Sequence, residues 1–483
     1  MAKIPTYKLK EVFTPTLPAF HTYVEREGIN YKLDSALEIP GNQVILYGST
    51  GVGKTTLLSN KIKSGKIKCI ITRCDGSNTL NDIILDAFNE LNIFYTESFE
   101  KSSSGKIGGS LGADYFVFKA SLSAKKEGTS KSIIKRAVEL PIKPRILAKY
   151  MGEAKCCWVI EDFHKINKEE KKQMAQIMKI FMDSSVDYPD LKIIATGAVN
   201  KARDVVHLDN EMRYRVSEIE VPLMTRRELK GILDKGQELL RIEIPNEVAE
   251  QIVYYSGGLP IVIHNLAYHL CKESKILDTC MSKEYFKIPA NIFYKAMQEA
   301  FSHNSDSFKS KFERATKTID TKIKTTEILN ALLDLLEKED SASIPDIQES
   351  LKKTGKYYEI NNLKSILNEL CSDKRDKILS FNKEYATYYF SDPYMKAYCL
   401  YSLGKSSKKH GLNQSEAIKL IREAFILLSK RQALPVSNDE LVDYVCKNYP
   451  DLTLEEIKEY VKLFREKSAR KQEWDGTEGE RLI

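Results

Sequence analysis

The sequence has no paired-cysteine spacing and no apolar run of membrane-spanning length, and these two absences remove several classes of protein. Its nine cysteines include no CxxC pair and no Cys/His ligand spacing. That argues against a zinc site and against a disulfide framework. Cys156 and Cys157 stand side by side in an apolar run and read as strand residues. Reduced thiols in a cytoplasmic protein are the expectation. No apolar stretch approaches the ~18 residues of a membrane span, and the opening Met1-Ala2-Lys3-Ile4-Pro5 lacks the apolar core of a signal peptide. A membrane role is not expected.

What is present is an ordinary globular composition of 483 residues, 42% hydrophobic and 29% charged. At roughly 150 residues per domain this suggests about three domains. The net charge of +7 is a mild excess and does not by itself point to nucleic acid. Its distribution says more. Residues 101–150 hold eleven basic and three acidic side chains, a local +8 that exceeds the excess of the whole chain.

Apolar runs at 43–47, 68–72, 156–160, 191–195 and 218–221 read as strands, and amphipathic stretches at 54–62, 81–91 and 167–183 read as helices. Such alternation predicts a parallel sheet covered on both faces. Between them, Ser, Gly and Lys dominate 101–131, where 115–124 could form a hairpin. From about 225 the strands stop and helical patterns take over at 226–235, 246–255 and 261–272, as a helical lid would. Helices at 328–336, 344–351 and 361–370 followed by strands at 378–381 and 386–390 give the winged-helix order. The expected fold class is α/β: a parallel P-loop sheet with helices on both faces, then a helical lid, a winged-helix domain and a C-terminal helical unit. The expected boundaries are 1–40 for a lead-in, 41–224 for the core with a basic insertion at 101–131, 225–310 for the lid, 320–404 for the winged helix, 405–470 for the last unit and 471–483 for a tail.

The strongest motif is Gly48-Ser49-Thr50-Gly51-Val52-Gly53-Lys54-Thr55, a full G-x-x-x-x-G-K-[ST] between a strand and a helix. Glycines let backbone N–H groups wrap phosphates, and a helix N-terminus favours negative charge. Lys54 is expected to reach the β- and γ-phosphates of ATP and Thr55 to ligate Mg²⁺, with Thr56 next in line. Trp158-Val159-Ile160-Glu161-Asp162 is an apolar strand ending in two acids. By position Glu161 belongs to the Mg²⁺ shell and Asp162 to the attacking water. The acids come as Glu then Asp, the reverse of the usual Asp then Glu, which predicts slow hydrolysis.

Three weaker features follow. Thr196, at the tip of the next strand with Asn200 behind it, could face the γ-phosphate; a plain strand-end threonine is the alternative. Arg213 and Arg215 precede the 218–221 strand and could reach a neighbouring subunit's γ-phosphate; a solvated basic helix end explains them equally well. In Ser256-Gly257-Gly258-Leu259-Pro260 the glycines end one helix and the proline starts the next. The turn either packs lid helices together or covers the adenine.

These elements in this order resemble the AAA+ and STAND classes of P-loop ATPase, above all prokaryotic members with an initiator-like core, a helical lid and a winged helix. Tyr23-Val24-Glu25-Arg26 resembles their lead-in, Glu161-Asp162-Phe163-His164 their extended Walker B, Arg215 their arginine finger, and Gly258-Leu259-Pro260 the GxP turn whose proline contacts the base. The resemblance covers about 20–275, and 320–403 by architecture only. It implies a nucleotide-driven, homo-oligomerising switch, plausible in anti-phage defence. With no nuclease, TIR or protease motif in the chain, the expected effector is a separate protein. The alternative is a DNA-loading factor of the replication-initiation or transposition-regulator type. The basic window could touch DNA, although a solvated loop accounts for it as well. The third helix of the wing carries Lys364 and Glu369 and gains Arg375 and Lys377 only at its exit, a thin set for reading a groove.

Overall fold

Gln43–Tyr47 (β1) is buried along its whole length, as a central strand covered on both faces should be. In the computed structural model it sits in a five-stranded sheet with Cys69–Arg73 (β2), Cys157–Glu161 (β5), Ile193–Gly197 (β6) and Val216–Glu220 (β7), in the order β2-β5-β6-β1-β7. Every neighbouring pair is parallel. The two outer strands, β2 and β7, show broken burial instead of the continuous burial of β1 and β6. The structure describes residues 5–65, 67–91, 94–96, 134–136, 143–197, 212, 214–302, 305–317, 324–337, 339–407, 414–429, 436–448 and 457–465.

A short Leu9–Val12 helix (α1) and Glu27–Glu38 (α2) precede β1, and Lys54–Lys63 (α3) follows its loop. Leu80–Glu90 (α4), Pro144–Glu153 (α5) and Lys168–Ser184 (α6) supply the core on one side of the sheet, where Ile83, Met151, Trp158, Met178 and Phe181 are almost fully enclosed. Asn167 caps α6 by accepting from Glu170 N–H at 3.0 Å, as its sequence position suggested. Phe94–Thr96 (β3) and Ile134–Arg136 (β4) pair antiparallel. The window between them, with the suggested 115–124 hairpin and most of the basic run, lies outside the described residues, as does the tail from 466.

The lid is Arg226–Leu240 (α7), Asn246–Ser256 (α8), Pro260–Glu273 (α9) and Phe293–Ser302 (α10). Strands do not stop entirely at 225: Ile242–Glu243 (β8) and Phe286–Lys287 (β9) form a two-residue parallel pair inside it. A pair that short carries no alternation to read. Ser305–Thr316 (α11) follows. Then Thr325–Leu335 (α12), Ala342–Ser343 (β10), Ile344–Lys353 (α13), Ile360–Leu370 (α14), Leu379–Asn382 (β11) and Thr387–Phe390 (β12) run in winged-helix order. β11 and β12 pair antiparallel from Leu379↔Phe390 to Asn382↔Thr387. Pro393–Ser407 (α15), Gln414–Ser429 (α16), Asn438–Asn448 (α17) and a helix over 457–465 (α18) complete the chain. Ile421, Leu441, Val445 and Ile457 form a separate core for these last helices.

The chain divides into two compact units, Met1–Ala315 with Leu367–Ala397, and Thr316–Ile366 with Tyr398–Ile483. The sheet, the lid and the site below belong to the first.

Candidate functional site

The register places the ends of all five strands at one edge of the sheet. Tyr47 pairs with Gly197 and Glu220, and Arg73 with Glu161. The loop after β1 therefore opens beside the tips of β5 and β6, where ligands bind in open parallel sheets.

That loop is built by backbone conformations that favour glycine. Gly51 has φ +84° and Gly53 φ +99°, both in the left-handed region. A Cβ on Gly51 would stand 2.7 Å from Ile261 Cγ2, and one on Gly48 would stand 2.4 Å from the Val221 carbonyl oxygen. Gly53 is the N-cap of α3, whose first turn carries no acid, so the helix end and its free N–H groups are open to an anion. Lys54 Nζ donates to the carbonyl oxygens of Gly48 at 2.8 Å and Ser49 at 2.9 Å. Burial pulls the Lys54 ammonium below the usual lysine range, and the Asp162 carboxylate acts the other way. This is a P-loop at the carboxyl end of a central strand in a parallel α/β sheet.

Beside this P-loop the two acids diverge. Glu161 ends β5 and accepts from Arg73 Nε at 3.0 Å, across the β2–β5 pairing. Arg73 is largely exposed, so the pair adds little stability. Asp162 leaves the strand with φ 57° and ψ 31° at the start of a short 3-10 turn. The left-handed turn breaks strand alternation, and strained residues of this kind gather at functional sites. Its carboxylate accepts from Lys165 Nζ at 2.7 Å, and it is the acid whose charge reaches Lys54. Thr196, buried at the tip of β6, accepts from the Asp162 backbone N–H at 3.4 Å. Lys54, Asp162 and Thr196 thus converge on one cavity, which Glu161, Thr50, Thr55 and Thr56 also line.

The lid closes the other side of the cavity. Gly257 and Gly258 have φ 57° and 89°, and Pro260 opens α9. Gly258 O accepts from Met224 N–H at 2.9 Å, and a Cβ on Gly258 would meet Leu223 Cβ at 2.9 Å. This turn lays Pro260 and Ile261 on the P-loop, against Gly53 and Gly51. The cavity they bound measures about 270 Å³.

Two contributions were not assigned to the site from the sequence, although Tyr23 and Arg26 of the first belong to the stretch that resembles a lead-in. One is the segment before β1. Thr14, Thr16, Thr22, Tyr23 and Arg26 line the cavity, and the segment is tied to the lid on one side and to α3 on the other. Tyr7 and Thr279 exchange hydrogen bonds at 2.9 and 3.0 Å. Arg26 donates to Glu228 and to the carbonyls of Pro222 and Leu223, and Asn60 Nδ2 donates to Ala19 O at 2.8 Å. Mid-helix Gly236 admits the Phe13 ring, whose Cζ would lie 2.2 Å from a Cβ there. That glycine, costly in a helix by about 1 kcal/mol, was a signal for such a close approach. The other contribution is His264 on α9, which the sequence offers only as a polar residue in an apolar helix.

Arg215 is placed elsewhere. It precedes β7 at the opposite edge of the sheet, where its carbonyl accepts from Gln43 N–H at 2.9 Å. Its Nη1 lies 3.2 Å from Asp183 Oδ1. A strand of five residues at ~3.3 Å each puts it about 15 Å from the P-loop end of β1. It does not share this chain's own cavity. Arg213 and Asn200 lie outside the described residues.

Among the described residues no group of three or more His, Cys, Asp or Glu side chains could hold a metal ion. Such a set is not needed for Mg²⁺ on a nucleotide, which binds through phosphates, waters and one or two protein oxygens. Thr55 and Glu161, which both line the cavity, fit that requirement, with Asp162 beside them. Among the same residues no helix is long and apolar enough to cross a membrane.

No protein-family model matches the chain, and no curated protein does. Solved structures do. The Walker-type ATPase of Pyrococcus abyssi shares 18% identity and a TM-score of 0.47, over 78% of this chain and 96% of that one. Cdc6p of Pyrobaculum aerophilum shares 14% identity and a TM-score of 0.39, over 82% and 98%. The Aeropyrum pernix ORC1 protein, solved in complex with DNA, shares 14% identity and a TM-score of 0.36, over 83% and 98%.

Proposed function

We propose that the chain is an ATP-binding, slowly hydrolysing molecular switch of the AAA+/STAND type that assembles with copies of itself and controls a separate effector protein, in anti-phage defence. The observation that carries the reading is the meeting of Lys54, Asp162 and Thr196 at the sheet edge beneath Pro260 and Ile261. In this reading the backbone of Gly48–Thr55 cradles the phosphates, Lys54 exchanges its two loop carbonyls for phosphate oxygens, and Thr55 with an acid of the β5 tip holds Mg²⁺. Mg²⁺, when bound, supplies positive charge that offsets charge developing on the β- and γ-phosphates. Asp162, which acts on Lys54, takes the role facing the water; Glu161, which also accepts from Arg73, is the acid on the Mg²⁺ side. Thr196 holds Asp162 by its backbone and presents its hydroxyl toward the γ-phosphate. Arg215, remote from its own cavity, acts on the nucleotide of the next subunit. The division into core, lid, winged helix and C-terminal unit at 41–224, 225–310, 320–404 and 405–470 belongs to the same proposal.

The lid supports a switch. Pro260 and Ile261 touch the P-loop directly, so whatever fills the loop bears on how the lid sits. The DNA-loading alternative draws on the winged-helix order and on the basic window at 101–150, most of which lies outside the described residues. Arg375, one of the few bases at the exit of α14, is buried, donates to Ala315 O at 2.5 Å and pairs with Glu369; it is not placed to meet a phosphate. Calorimetry with ATP and Mg²⁺, alongside fluorescence anisotropy with duplex DNA across salt, separates the readings. ATP binding without DNA binding at low salt is expected. Salt-sensitive duplex binding that requires ATP would overturn the switch in favour of the loader.

A further inference from the structure

His264 stands in the cavity wall on α9, one helical turn beyond Pro260. Only 4% of it is exposed. Its Nδ1 accepts the Thr14 backbone N–H at 3.0 Å, and Phe13 packs edge-on against the ring at 6.1 Å. Burial drops its pKa to about 4, so the ring is neutral at physiological pH. A neutral imidazole that accepts at Nδ1 carries its proton on Nε2. That Nε2–H is a donor of fixed direction. It has no hydrogen-bond partner among the described residues, and they do not wall it in. A donor held in one direction and open to the cavity is free to be taken by a ligand in place of water.

Its place in the fold narrows the partner. Pro260 and Ile261, at i−4 and i−3 from His264, are the residues that meet Gly53 and Gly51. They share its helix face, and one turn is about 5 Å of axial rise. His264 therefore lies beyond the phosphate loop, under the segment that carries Thr14, Thr16 and Tyr23. Being neutral, it offers no charge to attract phosphate. We propose that His264 is a positioning residue for the nucleoside end of the bound nucleotide, its Nε2–H donating to a ring nitrogen of the base or an oxygen of the sugar. The inference rests on the nucleotide-binding reading above and adds a recognition contact to it. The same ring then reads the ligand with one nitrogen and anchors the N-terminal segment with the other.

The test uses the full chain and calorimetry. His264→Asn places an amide oxygen near the Nδ1 position, keeping an acceptor for Thr14, and removes the donor at Nε2. We expect ATP to bind this variant roughly tenfold more weakly, the scale of one lost hydrogen bond, with affinity for inorganic triphosphate unchanged. The difference from wild type should vanish with one of 1-deaza-ATP, 3-deaza-ATP, 7-deaza-ATP, 2′-deoxy-ATP or 3′-deoxy-ATP, which identifies the acceptor. Wild-type ATP affinity in His264→Asn, an equal loss for triphosphate, or a penalty that persists with every analogue would overturn the assignment. Should that variant fail to fold, His264→Gln, which retains a donor near the far nitrogen, is read instead. Binding within about threefold of wild type is expected, and a tenfold loss overturns the proposal. Absence of ATP binding in the wild-type chain would overturn the nucleotide reading along with it. ATP binding by the wild-type chain with no penalty in His264→Asn would overturn the His264 assignment and leave the nucleotide reading standing.

Discussion

Lys54 donates from Nζ to the Gly48 carbonyl oxygen at 2.8 Å, so the loop's one ammonium closes back on the loop's first residue. The Ser49 carbonyl takes a second bond at 2.9 Å. These contacts keep a half-buried cation satisfied while holding it where a phosphate would arrive. Lys54→Ala should lower ATP affinity at least a hundredfold in calorimetry and leave the circular dichroism spectrum unchanged. Affinity within threefold of wild type would remove the site assignment.

Asp162 and Thr196 share a hydrogen bond through the Asp162 backbone, not its carboxylate. Side chain and position can therefore be tested separately. Asp162→Asn should retain ATP binding and reduce phosphate release by two orders of magnitude or more, the scale of a lost water-orienting group. Thr196→Val should give a smaller fall, near tenfold. Equal turnover in Asp162→Asn and wild type would show that another group faces the water.

Gly51 combines a left-handed φ with a Cβ position 2.7 Å from Ile261 Cγ2. Gly51→Ala should cost about 1–3 kcal/mol of stability and weaken nucleotide binding, read by thermal melts with and without ATP. Adding Ile261→Ala relieves the clash but not the φ. It should recover part of the loss. No recovery would mean that the lid does not press on the loop.

Arg215→Ala is expected to leave ATP affinity unchanged, because the residue lies at the other edge of the sheet. Its effect should appear only where turnover per chain rises with protein concentration, and the variant should flatten that rise. A variant with weaker binding at high dilution would place Arg215 in its own cavity after all.

His264 gives a pH dependence with a definite sign. Its folded pKa, about 4, lies below the ordinary value of 6.5. Between those values the unfolded chain binds more protons than the folded one, so stability is lost as pH falls from about 6.5 towards 4. Each unit of that gap corresponds to about 1.4 kcal/mol. Urea melts of the chain should show a larger drop from pH 7 to pH 5 than melts of His264→Asn. Parallel slopes would mean that the ring protonates without cost.

The parts of the fold legible in the sequence are those set by local pattern. β1 reads as a buried strand because all five residues are enclosed, and the P-loop reads from glycine spacing that its backbone angles then require. Asn167 announces its helix by capping it. The segment over 7–26 could not be read this way, since its order comes from single long-range bonds to Thr279, His264, Glu228 and Asn60, none of which leaves a period. His264 was hidden for a related reason. A histidine on a buried helix face looks the same in sequence whether its free nitrogen meets protein or ligand. Which of Glu161 and Asp162 turns toward Lys54 depended on a left-handed residue after the strand, and alternation alone would have placed them differently.

The cavity lies where the strands end and Arg215 lies where they begin. A contact joining one chain's Arg215 to another's nucleotide links opposite edges of the sheet; made in one direction only it is heterologous, unlike a twofold dimer in which each chain's arginine would meet the other's nucleotide. Copies added by that contact close into a ring or continue as a filament, according to the rotation between successive subunits. In a filament one end subunit would carry a nucleotide with no arginine from a neighbour and the other an arginine with no nucleotide to meet. Turnover per chain would then depend on length, whereas a closed ring would have no ends at all.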